Sequence, residues 1–226
     1  ENGEEWIGLY TTDPFSDPSA PAAVENLSIS YATPGATTAR ISCDLPTRTA
    51  GGNELKGLIN VAIVVDGDTV QIKENQSPGA EFSISLVLTN GLHVLKVICL
   101  NSGGEGVAAS IKTFTGEDMP QIPTEVTAVA EESGKVTLSW TLPEAGINGG
   151  WVNLTKVSYD ILRNGESLST DIKETTYIDN LPENELKSYK YTVIVKFGRE
   201  ECGSVESNSV VFGKAVSLPY EQTFED

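Results

Sequence analysis

The chain has 226 residues, of which 39% are hydrophobic, and a formal net charge of −17. This length is enough for two ordinary domains, and this composition indicates folded modules and not a disordered chain. The charge disfavours nucleic acid and anionic lipid surfaces as partners, because both require a basic footprint. The longest apolar runs, such as residues 61–65, are far too short to span a bilayer.

The chain begins with an acidic leader. Within it, Trp6, Ile7, Leu9 and Tyr10 form an apolar patch, which is either an added edge strand of a first domain or the remnant of an upstream element. Residues 11–22 carry three prolines and have the composition of an extended linker. The first residue is not methionine and no signal-peptide pattern is present, so we expect a processed or trimmed product.

Residues 24–114 consist of short segments in which apolar and polar residues alternate, a pattern typical of strands with one buried face. Asp66-Gly67 and Asn90-Gly91 are residue pairs that favour tight turns between strands. No segment of ten residues has a clean helical period, so we predict an all-β fold. The predicted strands of this first unit are centred on residues 24–31, 39–43, 59–65, 70–72, 82–86, 93–99 and 107–114.

The second half of the chain repeats the first. Its clearest strand, KVTLSWTLP from Lys135 to Pro143, has a weaker copy in TARISCDLP, so that Trp140 and Cys43 are equivalent at an offset of 97 (140 − 43). The pair Gly149-Gly150 repeats Gly51-Gly52, and Asn164-Gly165 repeats Asp66-Gly67. A short stiff linker with two prolines, residues 116–123, separates the two units.

The second unit resembles a fibronectin type III domain. The resemblance is carried by WTLP at the end of its second strand, and by Leu181-Pro182 followed by Tyr189, Tyr191 and Val193. It implies two tandem immunoglobulin-like β-sandwiches, residues 20–117 and 118–214, between a leader (1–19) with an extra strand and the start of a further module (215–226). It also implies that Trp140 is the buried tryptophan of strand B, and that the Tyr189 hydroxyl bonds to nearby backbone. Cys43 and His93 take these two places in the first unit.

The tail, AVSLPYEQTFED, resembles the opening of a further β-sandwich that follows such tandem pairs in surface proteins of gut Bacteroidetes. The acidic start resembles the segment after the lipidated cysteine in lipoproteins of that group. These resemblances imply an extracellular, outer-membrane-anchored protein of the cell-adhesion type, with any lipid anchor outside these residues.

Residues that support catalysis or metal binding are scarce. His93 is the only histidine, and Cys43, Cys99 and Cys202 form no CxxC pair and no metal-ligand spacing. No GxSxG or HExxH pattern occurs. Glu117 and Asp118 could contribute to a weak calcium site, but two carboxylates do not complete one. We therefore expect no catalytic residue, no cofactor and no metal.

Three features have two readings each. His93 is either a catalytic base or, as we favour, a structural side chain that donates to backbone. Cys43 and Cys99 face inward from opposite sheets, and are either a disulfide or, as we favour, free buried thiols. Cys202 is expected to be a half-exposed thiol in the F–G loop. Trp151, in the B–C loop, either binds a ligand or, as we favour from the sequence, packs on its own domain.

Together these observations predict a non-enzymatic extracellular module that either binds a protein or glycan at the cell surface or spaces other domains, and that is a monomer. The alternative is an accessory region of a carbohydrate-active enzyme or glycan-binding protein, whose active or binding domain lies outside these residues.

Overall fold

The computed structural model describes residues 17–182 and 186–214. Its regular structure there is β-strand, apart from one 3₁₀ turn at Leu154–Lys156, which confirms the all-β prediction. The chain divides into two compact units, Glu1–Thr115 and Gly116–Asp226. No helix among the described residues is long and apolar enough to cross a membrane. The Trp6–Tyr10 patch and the 215–226 tail lie outside the described residues.

The first unit is a sandwich of two antiparallel sheets. One sheet has the order β1-β2-β5, and the other has the order β4-β3-β6, with β7 and β8 both paired to β6. This is the A-B-E and C′-C-F-G strand order of a fibronectin type III sandwich, with β8 as strand G. The strands are β1 (Glu25–Tyr31), β2 (Thr38–Asp44), β3 (Ile59–Val65), β4 (Asp68–Gln76), β5 (Glu81–Val87), β6 (Gly91–Asn101), β7 (Gly104–Glu105) and β8 (Ala109–Thr115).

The second unit repeats this order. Its sheets run β9-β10-β13 and β12-β11-β15-β16, and β14 pairs with β17 beside them. The second unit therefore has the same A-B-E and C′-C-F-G frame as the first. Its strands are β9 (Val126–Ala130), β10 (Lys135–Trp140), β11 (Val157–Arg163), β12 (Glu166–Ile172), β13 (Thr176–Asn180), β14 (Lys187–Tyr189), β15 (Tyr191–Phe197), β16 (Glu200–Glu206) and β17 (Val210–Phe212).

Strand register makes the two units comparable residue by residue. Ile63 lies opposite Val97 in the first unit, and Ile161 lies opposite Val193 in the second. Equivalent residues are therefore 98 apart in strand C (161 − 63) and 96 apart in strand F (193 − 97). Each unit has its own core, formed by the inward residues of both sheets.

Strand β12 was not predicted. Its sequence, ESLSTDI, is mostly polar, and none of its seven side chains is fully buried. An edge strand of this kind lacks clear alternation, because its two apolar side chains, Leu168 and Ile172, are only partly buried against the core and the rest are polar.

Three edge strands are interrupted by a residue in the left-handed region of backbone space. Asn26 in β1, Asn75 in β4 and Asp171 in β12 have φ values of 51°, 58° and 57°, and each lies where the register shifts by one residue. These are β-bulges, and Asn and Asp tolerate the left-handed conformation better than most residues. The same positions in β4 and β12 carry the bulge in both units.

Candidate functional site

The B–C loop of the second unit, which joins β10 to β11, holds Trp151 at its outer side. Trp151 is 39% exposed, and its backbone oxygen accepts a 2.7 Å hydrogen bond from the N–H of Asp118. Glu117 forms a parallel bridge with Trp151, so the segment before β9 lies along this loop as a short added strand. The tryptophan is therefore partly exposed on a loop whose backbone is tied down.

Asp118 is the residue that fixes the loop. Its side chain is 1% exposed, and its Oδ2 accepts the backbone N–H groups of Asn148 and Gly150 at 2.8 and 2.9 Å. Its Oδ1 accepts the Met119 N–H at 2.8 Å and the Asn148 side-chain amide at 2.9 Å. Four N–H donors thus surround one carboxylate, which satisfies its buried charge. They occupy the lone pairs that a calcium ion would require.

Glu117 is held in a different way. It accepts a 2.9 Å bond from the Asn153 side chain and forms an ion pair with Lys156. The Lys156 hydrogen bond, followed by that of Asn153, holds the pKa of Glu117 below its ordinary value. Both acidic residues of this segment therefore secure the B–C loop and its following 3₁₀ turn.

Exposed apolar side chains lie in this loop and in the segment before β9. Ile122, Leu142 and Ile147 are 43%, 48% and 60% exposed. An open depression of about 430 Å³ is lined by Pro120, Gln121, Ile122, Ile147 and Cys202. A fixed loop that presents an aromatic and several aliphatic side chains is able to bind a protein or a sugar ring.

Trp140 lies in the core, at 6% exposure, and has no part in this surface. Its ring packs edge-to-face on Tyr159, with the ring centroids 5.2 Å apart. In the first unit the equivalent Cys43 lies opposite the buried Phe82, which supplies an aromatic ring to the smaller site.

In the second unit, the Tyr191 hydroxyl ties strand F to the opposite sheet. The family resemblance predicts this role for the Tyr189 hydroxyl, and the structure corrects that prediction. Tyr191 is fully buried and donates a 2.8 Å bond to the Asp179 carboxylate, which also accepts from Arg163 at 2.8 Å. The acceptor is a side chain and not backbone. Tyr189 instead packs its ring against the Arg163 guanidinium, whose Cζ lies 5.8 Å from the ring centroid. Burial, and next the Asp179 bond, raise the pKa of Tyr191.

His93 is buried where strand F of the first unit begins. Its Nδ1–H donates to Asp66 Oδ2 at 2.7 Å, and its Nε2–H donates to the Thr89 carbonyl at 2.9 Å. Both ring nitrogens thus face acceptors, an arrangement that suits the imidazolium form. Nε2 also lies 3.4 Å from the Thr89 hydroxyl, and Asp66 also accepts the Val94 N–H. The contacts of His93 are those of a structural residue.

The three cysteines are free thiols. Cys43 and Cys99 are buried in the first core, where burial raises the pKa of Cys43 to about 11 and that of Cys99 to about 12. Cys202 is partly exposed, but it lies in strand β16 and not in the F–G loop as expected, at the point where the register of β15 and β16 shifts. Among the described residues, no three His, Cys, Asp or Glu side chains form a group that could hold a metal ion.

The solved structures similar to this chain include arrays of fibronectin type III domains, whereas no protein-family model matches the chain and no curated protein matches it significantly. The FN1–FN3 domains of chicken CNTN1 have 12% identity, a TM-score of 0.37, and coverage of 86% of this chain and 68% of that one. The central fibronectin-III array of RIM-binding protein has 15% identity, a TM-score of 0.32, and coverage of 91% and 73%. By strand order, this chain has the fold of a tandem pair of fibronectin type III sandwiches.

Proposed function

We propose that the chain is a non-enzymatic binding module of an extracellular surface protein, and that it contacts a protein or glycan through the B–C loop of the second unit. One observation carries this proposal: Trp151 is partly exposed on a loop that the buried Asp118 carboxylate holds in place. A rigid aromatic side chain loses little conformational entropy when it binds, and is therefore a common anchor of binding surfaces.

The chemistry of the described residues supports a non-catalytic role. The only histidine is buried between Asp66 and Thr89, and each thiol has a raised pKa that disfavours the reactive thiolate. The buried Asp118 carboxylate, which holds the loop in place, is surrounded by amide donors. Binding or spacing fits these groups better than acid–base or nucleophilic catalysis does.

The surface context is part of the same proposal. We place the chain outside the cell as a monomer, joined to the outer membrane through a lipid anchor outside these residues, because the tail and the acidic start resemble surface lipoproteins. A net charge of −17 supports a soluble, self-repelling molecule. A pure spacer, or an accessory region of a carbohydrate-active enzyme, is the competing function.

A glycan array and a panel of purified cell-surface proteins test the binding role. We expect a ligand whose binding falls by at least about tenfold in Trp151→Ala, the loss typical of an aromatic anchor, with the melting temperature unchanged. The matched control is Ile178→Ala, which truncates a 54% exposed side chain on β13 and should leave binding intact. Binding that survives Trp151→Ala would contradict the loop assignment, and failure to bind any probe would favour the spacer.

A further inference from the structure

The outer face of the five-stranded sheet of the first unit is largely apolar. Strand β3 is buried on both sides. Its inward residues Ile59, Val61 and Ile63 belong to the core. Its outward residues Ala62 and Val64, at 6% and 8% exposure, alternate with them and lie outside the core cluster. Neighbouring strands add apolar residues at outward positions of the same face. These residues are Ile72 on β4, and Leu92, Val94, Ile98 and Leu100 on β6.

The second unit provides an internal control, because three of these positions are charged there, whereas Val64 and Ile98 keep the apolar equivalents Leu162 and Ile194. By register, Ala62 corresponds to Asp160, Val94 to Lys190 and Leu100 to Lys196. These side chains are paired within the unit: Lys196 lies 3.4 Å from Asp160 and 3.0 Å from Asp171, and Lys190 pairs with Glu206. The sandwich therefore does not require apolar residues at these three positions, and their presence in the first unit needs another explanation.

Two lysines also stand on the apolar face. Lys96 lies in register with Val64, and Lys112 lies in register with Val94. Both are exposed, and neither forms an ion pair or hydrogen bond with any described residue. The face thus offers apolar area together with two lysines that have no charged partner among the described residues.

We propose that this outer sheet face is a docking surface for another protein, whose contact segment combines apolar side chains with Asp or Glu carboxylates. The apolar residues would bury the partner's apolar groups, while Lys96 and Lys112 would pair with its carboxylates. A second copy of the chain fits less well, because two such faces would bring lysines together and two molecules of net charge −17 into contact. This surface belongs to the first unit and is independent of the Trp151 loop.

The test uses the whole chain and a phage library of short random peptides. Enriched peptides are synthesised and titrated by calorimetry against the wild type and against Ala62→Asp/Leu100→Lys, which copies the Asp160–Lys196 pair of the second unit. We expect peptides rich in apolar and acidic residues, whose Kd rises at least about tenfold in this variant. The control is Val87→Asp, on the opposite sheet of the same unit, where the native side chain is 79% exposed. Its Kd should equal that of the wild type.

A second variant, Lys96→Glu/Lys112→Glu, changes only exposed residues and tests the charge if the first variant fails to fold. This variant should bind the same peptides more weakly, and added salt should weaken their binding to the wild type. The proposal is overturned if no peptide is enriched, if enriched peptides lack carboxylates, or if Ala62→Asp/Leu100→Lys binds them equally. It is also overturned if the wild type forms a dimer that this variant abolishes. If peptides bind the variant Trp6→Ser/Leu9→Ser but not the wild type, the natural occupant of this face is the chain's own leader and not another protein.

Discussion

His93 is the side chain through which the first unit responds to pH near neutrality. Burial acts to lower the pKa of His93, but the Asp66 hydrogen bond, the Thr89 hydrogen bond and the Asp66 charge together raise it above its ordinary 6.5. Because this is the only histidine, its ring proton can be followed alone by NMR. We expect a midpoint above 6.5 that falls in Asp66→Asn. Asp68→Asn, which changes another acid of the same hairpin, is the control and should have little effect.

The same shift predicts how the stability of the first unit varies with pH. A histidine whose pKa is higher in the folded state stabilises the fold below its unfolded pKa, and this contribution is lost as pH rises through the folded value. Asp66 has a lowered pKa, through the Val94 N–H and then the His93 bond, so its contribution is lost as pH falls through that value.

The first unit should therefore become less stable as pH rises above the ordinary histidine pKa of 6.5 and through the raised folded pKa of His93. Hydrogen exchange of β3 and β6 amides measures this change, with the intrinsic exchange rate corrected for pH. His93→Gln should flatten the dependence. An equal slope in the wild type and in this variant would assign the effect to other groups.

The cysteines give a second prediction for single residues. Because burial raises the pKa of Cys43 to about 11 and that of Cys99 to about 12, neither should react with Ellman's reagent in the folded protein. The half-exposed Cys202 should react slowly, and all three thiols should be counted in denaturant. A count of one in denaturant would instead reveal a Cys43–Cys99 disulfide.

At the scale of elements, the B–C loop depends on one carboxylate. Asp118→Ala leaves buried N–H groups without acceptors, and each unsatisfied buried group costs about 1–3 kcal/mol. We expect the second unit to lose about 3 kcal/mol in urea unfolding followed by tryptophan fluorescence. Asp118→Asn, which retains one acceptor oxygen, should lose less. A loss no larger than that of a surface substitution, about 0.5 kcal/mol, would show that solvent replaces the carboxylate.

Gly146, in the same loop, packs closely against the Asp118 side chain. A Cβ atom built at this position would overlap the Asp118 carboxylate, so the loop closes only around a glycine. Sequence alone does not reveal this arrangement, because Asp118 and its donors Asn148 and Gly150 are 30 and 32 residues apart. The sequence shows the glycines of the loop, but it does not show that Asp118 is buried among them.

Other elements show where sequence reasoning works and where it does not. Strands that bury one face, such as β2 and β10, were predicted from their alternation, whereas the polar edge strand β12 was not. Tyr189 and Tyr191 occupy alternate positions of the same face, so periodicity could not decide which hydroxyl is anchored. The partner Asp179, on the neighbouring sheet, decides it. Pairing across sheets is a tertiary property that no local pattern encodes.

At the scale of the whole molecule, each unit should unfold on its own core. Trp140→Ala removes a buried indole and its contact with Tyr159, a change that costs about 3–5 kcal/mol and could unfold the second unit outright. The first core shares no residue with the second. Cys43 and Cys99 should therefore stay protected from thiol reagents while calorimetry shows the loss of one transition. Simultaneous exposure of these thiols would show that the two units unfold together.

The left-handed residues of the edge strands have a consequence for biosynthesis. A chain that carries two similar sandwiches, whether in one molecule or in many emerging from neighbouring ribosomes, risks exchanging strands between copies before either copy has closed. Asn26, Asn75 and Asp171 bend β1, β4 and β12 where an incoming strand would need a straight row of backbone partners. We therefore expect each copy to complete its own sheets, so that the sandwich can be duplicated along a chain without cross-assembly.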